Sequence, residues 1–207
     1  RKIFSDVYGA AQYLLGKGFC HRDIKPENVQ ITTSGKAILL DLGVIRPHGI
    51  SDLTQLPNGR MFVGTLRYAP PEMLHGKESS DSRGFEAVTV YQLGGLLHDM
   101  IMGEELFLAF SEPYADLVHA VDNFDPTIYR SDVGQDLIMA TKKSLLKSPD
   151  DRLKFSPFNG LNQLFLNPQK PLSLKTNLAE QFAKAQDLYK TKVTPIAEEQ
   201  RRKAART

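Results

Sequence analysis

Apolar residues recur along this chain first with a helical period, then with a strand-like one, and from about residue 84 with a helical period again. Ile3, Val7, Ala10, Ala11, Leu14 and Leu15 fall three and four apart. That spacing predicts an amphipathic helix already under way at residue 1 and ended by Gly16 and Gly18. A polar, charged stretch from Cys20 to Asn28 follows. Val29-Gln30-Ile31 and Ala37-Ile38-Leu39-Leu40 then flank Thr32-Thr33-Ser34-Gly35-Lys36, which predicts a hairpin with glycine in its turn. Residues 41–72 are rich in Gly, Pro, Asn and Ser and carry little period, so a long loop is expected. Loops beyond about 12–15 residues are usually functional or disordered.

Phe85, Val88, Leu93, Leu96, Leu97 and Ile101 wrap most of a helix beginning near Gly84, which predicts an element buried all round. Shorter helices fit Tyr114 to Val121 and Gly134 to Leu146, with Pro113, Pro126 and Pro149 as breaks. Residues 167–175 read as a linker. Asn177 with Glu180 then makes a capping-box-like start, and Leu178, Phe182, Ala185 and Tyr189 form one stripe of a helix running to Val193. The basic end, with Arg201, Arg202, Lys203 and Arg206, reads as a solvated tail. The expected fold class is mainly α, with one small β-hairpin beside the charged stretch.

Composition narrows the classes. Lys and Arg total 26 against 24 Asp and Glu, a net charge of +2, so no strong field points to nucleic acid or a membrane surface. No apolar run reaches the roughly 18 residues of a membrane span. The best, Leu93 to Met102, is interrupted by His98 and Asp99. Cys20 is the single cysteine, which forbids an internal disulfide and suits a reducing, cytoplasmic compartment; it reads as a small buried residue. The opening Arg-Lys-Ile-Phe has neither an initiator methionine nor a signal sequence, and is read as a cut through a longer protein.

His21-Arg22-Asp23-Ile24-Lys25-Pro26-Glu27-Asn28-Val29 resembles the catalytic loop of the protein kinase superfamily, and Asp41-Leu42-Gly43 its metal-binding segment. Three more stretches follow in that family's order. Gly64 to Glu72, ending Ala69-Pro70-Pro71-Glu72, resembles the end of the activation segment, where peptide substrates dock. Tyr91-Gln92-Leu93-Gly94 resembles the central buried helix that anchors the catalytic loop. Asp151-Arg152 resembles the late arginine that ion-pairs with Glu72. The resemblance covers about residues 1–166 and only the C-terminal lobe of a kinase, with residues 167–207 as linker, helix and tail.

The resemblance implies a Ser/Thr protein kinase that transfers the γ-phosphoryl of ATP, with Mg²⁺, to a protein hydroxyl. Asp23 would accept and orient the hydroxyl proton. Lys25 would face the transferring phosphoryl group, Asn28 and Asp41 would hold Mg²⁺, and Thr65 would hydrogen-bond Asp23 and Lys25. Lysine at position 25 is the choice of the Ser/Thr-specific branch. His21 would pack behind the Asp41-Leu42-Gly43 segment. Arg22 would either stay a surface charge or receive a phosphate on Ser51 or Thr54, which would order the loop through charge-assisted hydrogen bonds.

Three positions depart from the pattern. Leu42 replaces a phenylalanine and can fill the same apolar slot. Gln30 stands where an aliphatic side chain lies under adenine. Thr89 stands where an aspartate holds the catalytic-loop backbone, and a hydroxyl makes fewer and weaker bonds than a carboxylate. Nothing here matches the glycine-rich loop or strand lysine of the N-terminal lobe, so the chain alone is expected to be inactive and that lobe to be a partner beside the protein substrate. Gln30, Thr89 and the absent lobe motivate a second reading, a pseudokinase or docking module. A related small-molecule phosphotransferase is a third, against which the peptide-docking stretch Gly64 to Glu72 argues.

Overall fold

A long helix surrounded on every side organises this protein. The computed structural model describes residues 1–49, the backbone of 55–56 and 59–60, and residues 64–161; its described elements belong to one compact unit. In order they are α1 (Lys2–Gly16), β1 (Phe19–Cys20), a 3₁₀ turn (Pro26–Asn28), β2 (Val29–Ile31), β3 (Ala37–Leu39), β4 (Arg46–Pro47), β5 (Gln55–Leu56) and β6 (Gly59–Arg60). A second 3₁₀ turn (Leu66–Tyr68), α2 (Pro71–Leu74), α3 (Ser82–Met102), a third turn (Leu108–Phe110), α4 (Tyr114–Asn123), α5 (Gln135–Ser144) and α6 (Pro149–Phe155) complete the set. The fold is mainly helical with a small antiparallel hairpin, as the sequence predicts, and two further two-stranded pairs. The expected linker, the helix from Asn177 to Val193, the basic tail, Ser51 and Thr54 lie outside the described residues.

α3 is the central element. Asp81 caps its start, its carboxylate accepting from the Gly84 N–H at 2.7 Å, and Gly103 ends it at φ 73°. Val90, Leu93, Leu96 and Leu97 pack with Phe4, Val7, Tyr8 and Ala11 of α1, with Ile24, and with Phe158 and Leu161. Tyr91 joins Leu66, Tyr68, Leu106, Leu117 and Leu145 in a second cluster, and Phe85 and Val88 join Cys20, Ala69 and Met73 in a third. One helix therefore serves three apolar clusters, which is why its sequence is apolar around the whole circumference.

Close approach at α5 depends on glycine. A β-carbon at Gly94 would lie 2.7 Å from the Ser144 β-carbon and 3.2 Å from Leu145 Cγ. Gly94→Ala is expected to destabilise the chain by about 1–2 kcal/mol, the overpacking cost less the helix-propensity gain of alanine. A lower urea midpoint with an unchanged slope would show it; an unchanged midpoint would mean that α5 yields without cost.

The pattern misplaces several features. In α1 the core-facing residues are Phe4, Val7, Tyr8 and Ala11, while Ile3, Ala10, Leu14 and Leu15 are only half-buried. The aromatic rings outreach the aliphatic side chains, and the face rotates to take them in. The stretch 41–72 is not all loop: it holds β4, paired with β1, and the β5–β6 pair. Two-residue strands carry no readable period. Pro149 marks the boundary after α5 by being the first residue of a further short helix, α6, capped by Ser148 Oγ, which accepts from the Asp151 N–H at 3.3 Å.

The hairpin appears where expected, with Val29 opposite Leu39, Gln30 opposite Ile38 and Ile31 opposite Ala37. Asp6 on α1 accepts from the Ala37 N–H at 2.9 Å, and the Leu40 N–H donates to the Asn28 carbonyl at 2.8 Å. These bonds bring the end of the charged loop alongside the residue preceding Asp41.

Candidate active site

Three of the expected residues meet at one carboxylate, that of Asp23. Asp23 is 6% exposed. Its Oδ1 accepts from the Thr65 N–H at 2.9 Å, and its Oδ2 lies 3.0 Å from Lys25 Nζ and 2.9 Å from Asn28 Nδ2. Lys25 Nζ also donates to Thr65 Oγ1. Burial works against the charge on Asp23, but the ammonium of Lys25 and the donors of Thr65 outweigh it and hold the acid below its ordinary range. Asp23 is thus a negatively charged, oriented acceptor rather than a strong base.

Local structure explains the convergence. Ile24 is fully buried among α1, β3 and α3, which fixes the loop at its midpoint. Arg22 takes φ 69°, a left-handed conformation disfavoured for a side chain of its size. Asn28 donates from Nδ2 both to the Asp23 carbonyl at 2.8 Å and to the Asp23 carboxylate. Its Oδ1 accepts no hydrogen bond among the described residues and remains an oxygen donor.

His21 is 2% exposed; its Nδ1 accepts from the Asp23 N–H at 3.3 Å, so its Nε2 donates to the Leu40 carbonyl at 3.0 Å. Burial lowers its pKa and keeps the ring neutral. It ties the catalytic loop to the residue before Asp41. Asp41 itself is exposed at φ 60°, and its Oδ1 accepts from the Gly43 N–H at 3.0 Å. An amide oxygen and a carboxylate suit a hard cation such as Mg²⁺, which keeps several water or phosphate ligands. The donor chemistry of Asn28 and Asp41 fits that ion, although no cluster of three or more acidic, histidine or cysteine ligands occurs among the described residues.

Elsewhere the arrangement differs from expectation. Leu42 fills no apolar slot; it is 55% exposed. Thr89 does not hold the catalytic loop. Its hydroxyl donates to the Phe85 carbonyl one turn back, at 2.8 Å, and its oxygen lies 3.7 Å from Cys20 Sγ. Arg22 is largely buried and ion-paired. Its Nη2 lies 2.6 Å from Glu78 Oε1, and Nη1 of Arg46 meets the same oxygen at 2.6 Å. Glu78 comes from the loop between α2 and α3, where spacing offered no signal; the neighbouring arginine of β4 offered none either. Gln30 is exposed on β2 beside Ile38. Cys20 is buried as expected, and burial pushes its thiol up to about 11.

Glu72 and Arg152 are joined by a two-pronged ion pair, Nη1 to Oε1 at 2.6 Å and Nη2 to Oε2 at 3.2 Å. This pair pins the end of the Gly64 to Glu72 segment beneath α3. Sequence reasoning missed Gln92, which reaches the catalytic-loop backbone from α3. The signal was present: it is the one amide in an otherwise apolar stretch, Val90 to Leu97.

A protein-family description, "Protein kinase domain", matches residues 1–158. The serine/threonine-protein kinase PknB of Mycobacterium leprae is 30% identical over 152 residues, covering 73% of this chain and 23% of that protein. The 3-phosphoinositide-dependent protein kinase 1 of Arabidopsis thaliana is 30% identical over 200 residues, 86% of this chain and 38% of the relative. The serine/threonine-protein kinase ksg1 of Schizosaccharomyces pombe is 32% identical over 160 residues, 71% of this chain and 25% of the relative. The chain spans between about a quarter and two fifths of the length of these relatives. With a match over residues 1–158 and the family's motifs assembled around Asp23, this chain belongs to the protein kinase domain family.

Proposed function

We propose that this chain is the catalytic, peptide-docking lobe of a Ser/Thr protein kinase that transfers the γ-phosphoryl of Mg-ATP to a protein hydroxyl when joined to a nucleotide-binding lobe. The observation that carries this reading is the meeting of Lys25, Asn28 and Thr65 on the Asp23 carboxylate. In the transfer, the substrate hydroxyl oxygen bonds to the γ-phosphorus as the bond to the β-phosphate oxygen breaks, and the hydroxyl proton passes to Asp23. With its pKa held low, Asp23 chiefly orients the hydroxyl and takes the proton late. Lys25 supplies positive charge where the phosphoryl oxygens gather it. Asn28 and Asp41 would hold Mg²⁺, which supplies charge neutralisation to the phosphates. Gln30 would lie beneath the adenine with its methylenes.

The hairpin and its exit leave Ile38 (41%), Leu40 (40%) and Leu42 (55%) exposed, an apolar surface suited to cover by the nucleotide-binding lobe. Residues 1–166 are proposed as the lobe and 167–207 as an appended linker and helix. The lone buried thiol suits a cytoplasmic setting; among the described residues no helix is long and apolar enough to cross a membrane.

Two observations favour the docking-module reading: the Asp41 carboxylate is turned onto its own segment, at Gly43, and Gln30 is polar. The test is phosphate transfer from radiolabelled ATP by the complete protein to a mixed protein substrate, with phosphoamino acid analysis. Phosphoserine or phosphothreonine supports the kinase. Absent incorporation, together with no rise in melting temperature on adding Mg-ATP, would establish the docking module instead.

A further inference from the structure

Gln92 is 1% exposed at the centre of α3, where an amide must find partners or lose its hydration uncompensated. Both ends of its side chain are engaged. Nε2 donates to the Arg22 carbonyl at 2.6 Å, and Oε1 accepts from the Ile24 N–H at 3.3 Å. The two backbone groups flank Asp23, so a single amide bridges the peptide units on either side of it. This is also where the backbone is strained, because Arg22 stands at φ 69°. The carbonyl of residue 22 and the N–H of residue 24 are related by the two backbone rotations of Asp23, so a side chain that bonds both holds the Asp23 backbone itself, next to the left-handed Arg22. Glu78 grips the Arg22 guanidinium, and within the loop His21 Nδ1 accepts from the Asp23 N–H while Asn28 Nδ2 donates to the Asp23 carbonyl; Gln92 adds to these a hold from α3. The Thr89 hydroxyl, one helical turn before Gln92, bonds the Phe85 carbonyl and reaches no part of residues 21–25 beyond the neighbouring Cys20 thiol.

We propose that Gln92 is a positioning residue of the catalytic loop, its hold from the central helix: its amide fixes the peptide units on both sides of Asp23 and so aims the Asp23 carboxylate at Lys25, Asn28 and Thr65. It acts through the backbone and touches no reacting atom. Its kinetic consequence rests on the phosphotransfer reading above; its structural consequence does not.

The experiment pairs backbone amide hydrogen exchange with steady-state kinetics on the complete protein, as wild type, Gln92→Leu and Thr89→Val. In the wild type the Ile24 amide is expected to exchange as slowly as the core amides of α3. Exchange there at the rate of an exposed loop overturns the proposal without recourse to any variant. In Gln92→Leu, Ile24 is expected to exchange about 10-fold faster or more while α3 keeps its protection, a local rather than global opening. Its kcat is expected to fall about 10–100-fold, the scale of a small misplacement of a reacting group, with KM for ATP within about twofold. Thr89→Val is expected to change neither. Wild-type exchange at Ile24 in Gln92→Leu, or the same local opening in Thr89→Val, refutes the assignment. If the wild type transfers no phosphate, the kinase reading fails by itself and the exchange comparison alone decides the role of Gln92.

Discussion

Asp23→Asn is expected to lower kcat of the complete protein by about 10²–10⁴-fold, the usual worth of a positioned proton acceptor, with little change in KM for ATP. The neighbours make this substitution worse than its small size suggests. Lys25 Nζ, Asn28 Nδ2 and the Thr65 N–H all donate to the carboxylate. Asparagine offers one acceptor oxygen where aspartate offers two, and its own NH₂ must face a donor. The variant therefore loses the proposed proton acceptor and also leaves at least one surrounding donor unmatched. Kinetics of both forms, beside a melting curve showing that the variant stays folded, are the measurement. Full turnover by a folded Asp23→Asn protein would remove Asp23 from the chemistry.

Arg152→Met is expected to destabilise the chain by about 3–5 kcal/mol, because it strands a buried carboxylate. Arg152 is fully buried, and all five of its N–H donors are used. Two meet Glu72, and the others go to the carbonyls of Leu146, Ala87 and Lys147 at 2.9, 2.9 and 3.2 Å. The Tyr91 ring lies 4.9 Å from its guanidinium carbon. A native domain holds only about 5–15 kcal/mol in total, so this single change consumes a large share. Arg152→Lys is expected to recover little, since an ammonium cannot supply the planar fork. Removing the partner as well, in Arg152→Met with Glu72→Met, is not expected to restore stability, because three backbone carbonyls still lose their donor. Urea unfolding measures all three variants. A loss below about 1 kcal/mol for Arg152→Met would make the pair a bystander.

Much of the site was legible because catalytic motifs are local. Asp23, Lys25 and Asn28 lie within six residues, where loop geometry alone keeps side chains near one another, and the hairpin that returns the chain to Asp41 announces itself by its glycine turn. Thr65 and Glu72 were legible through a second local stretch. What stayed hidden depends on contacts between distant residues. Glu78 lies 56 residues from Arg22 and 32 from Arg46, and no spacing rule links three such positions. Gln92 lies 70 residues from the Arg22 carbonyl that it holds. Thr89 was correctly marked as a departure, but the remedy on the same helix was not seen, since only the assembled packing shows which face of α3 meets the loop.

Periodicity settled the helical class, the central buried helix and the place of the hairpin, because burial imposes those patterns on the order of residues themselves. It could not settle which part of α1 faces inward, whether two-residue strands interrupt the long polar stretch, or that Pro149 opens a helix. Such outcomes follow from how large side chains share space once the elements meet. By itself, then, the order of residues pointed to the family and to the residues proposed for its chemistry. The tertiary structure alone decided what holds that chemistry in place: a carboxylate between two arginines at Glu78, a buried amide at Gln92, and the fork of Arg152. The physical reason is that motif residues act over one turn or loop, whereas their supports are matched donors and acceptors from remote segments, paired only when burial excludes water from both.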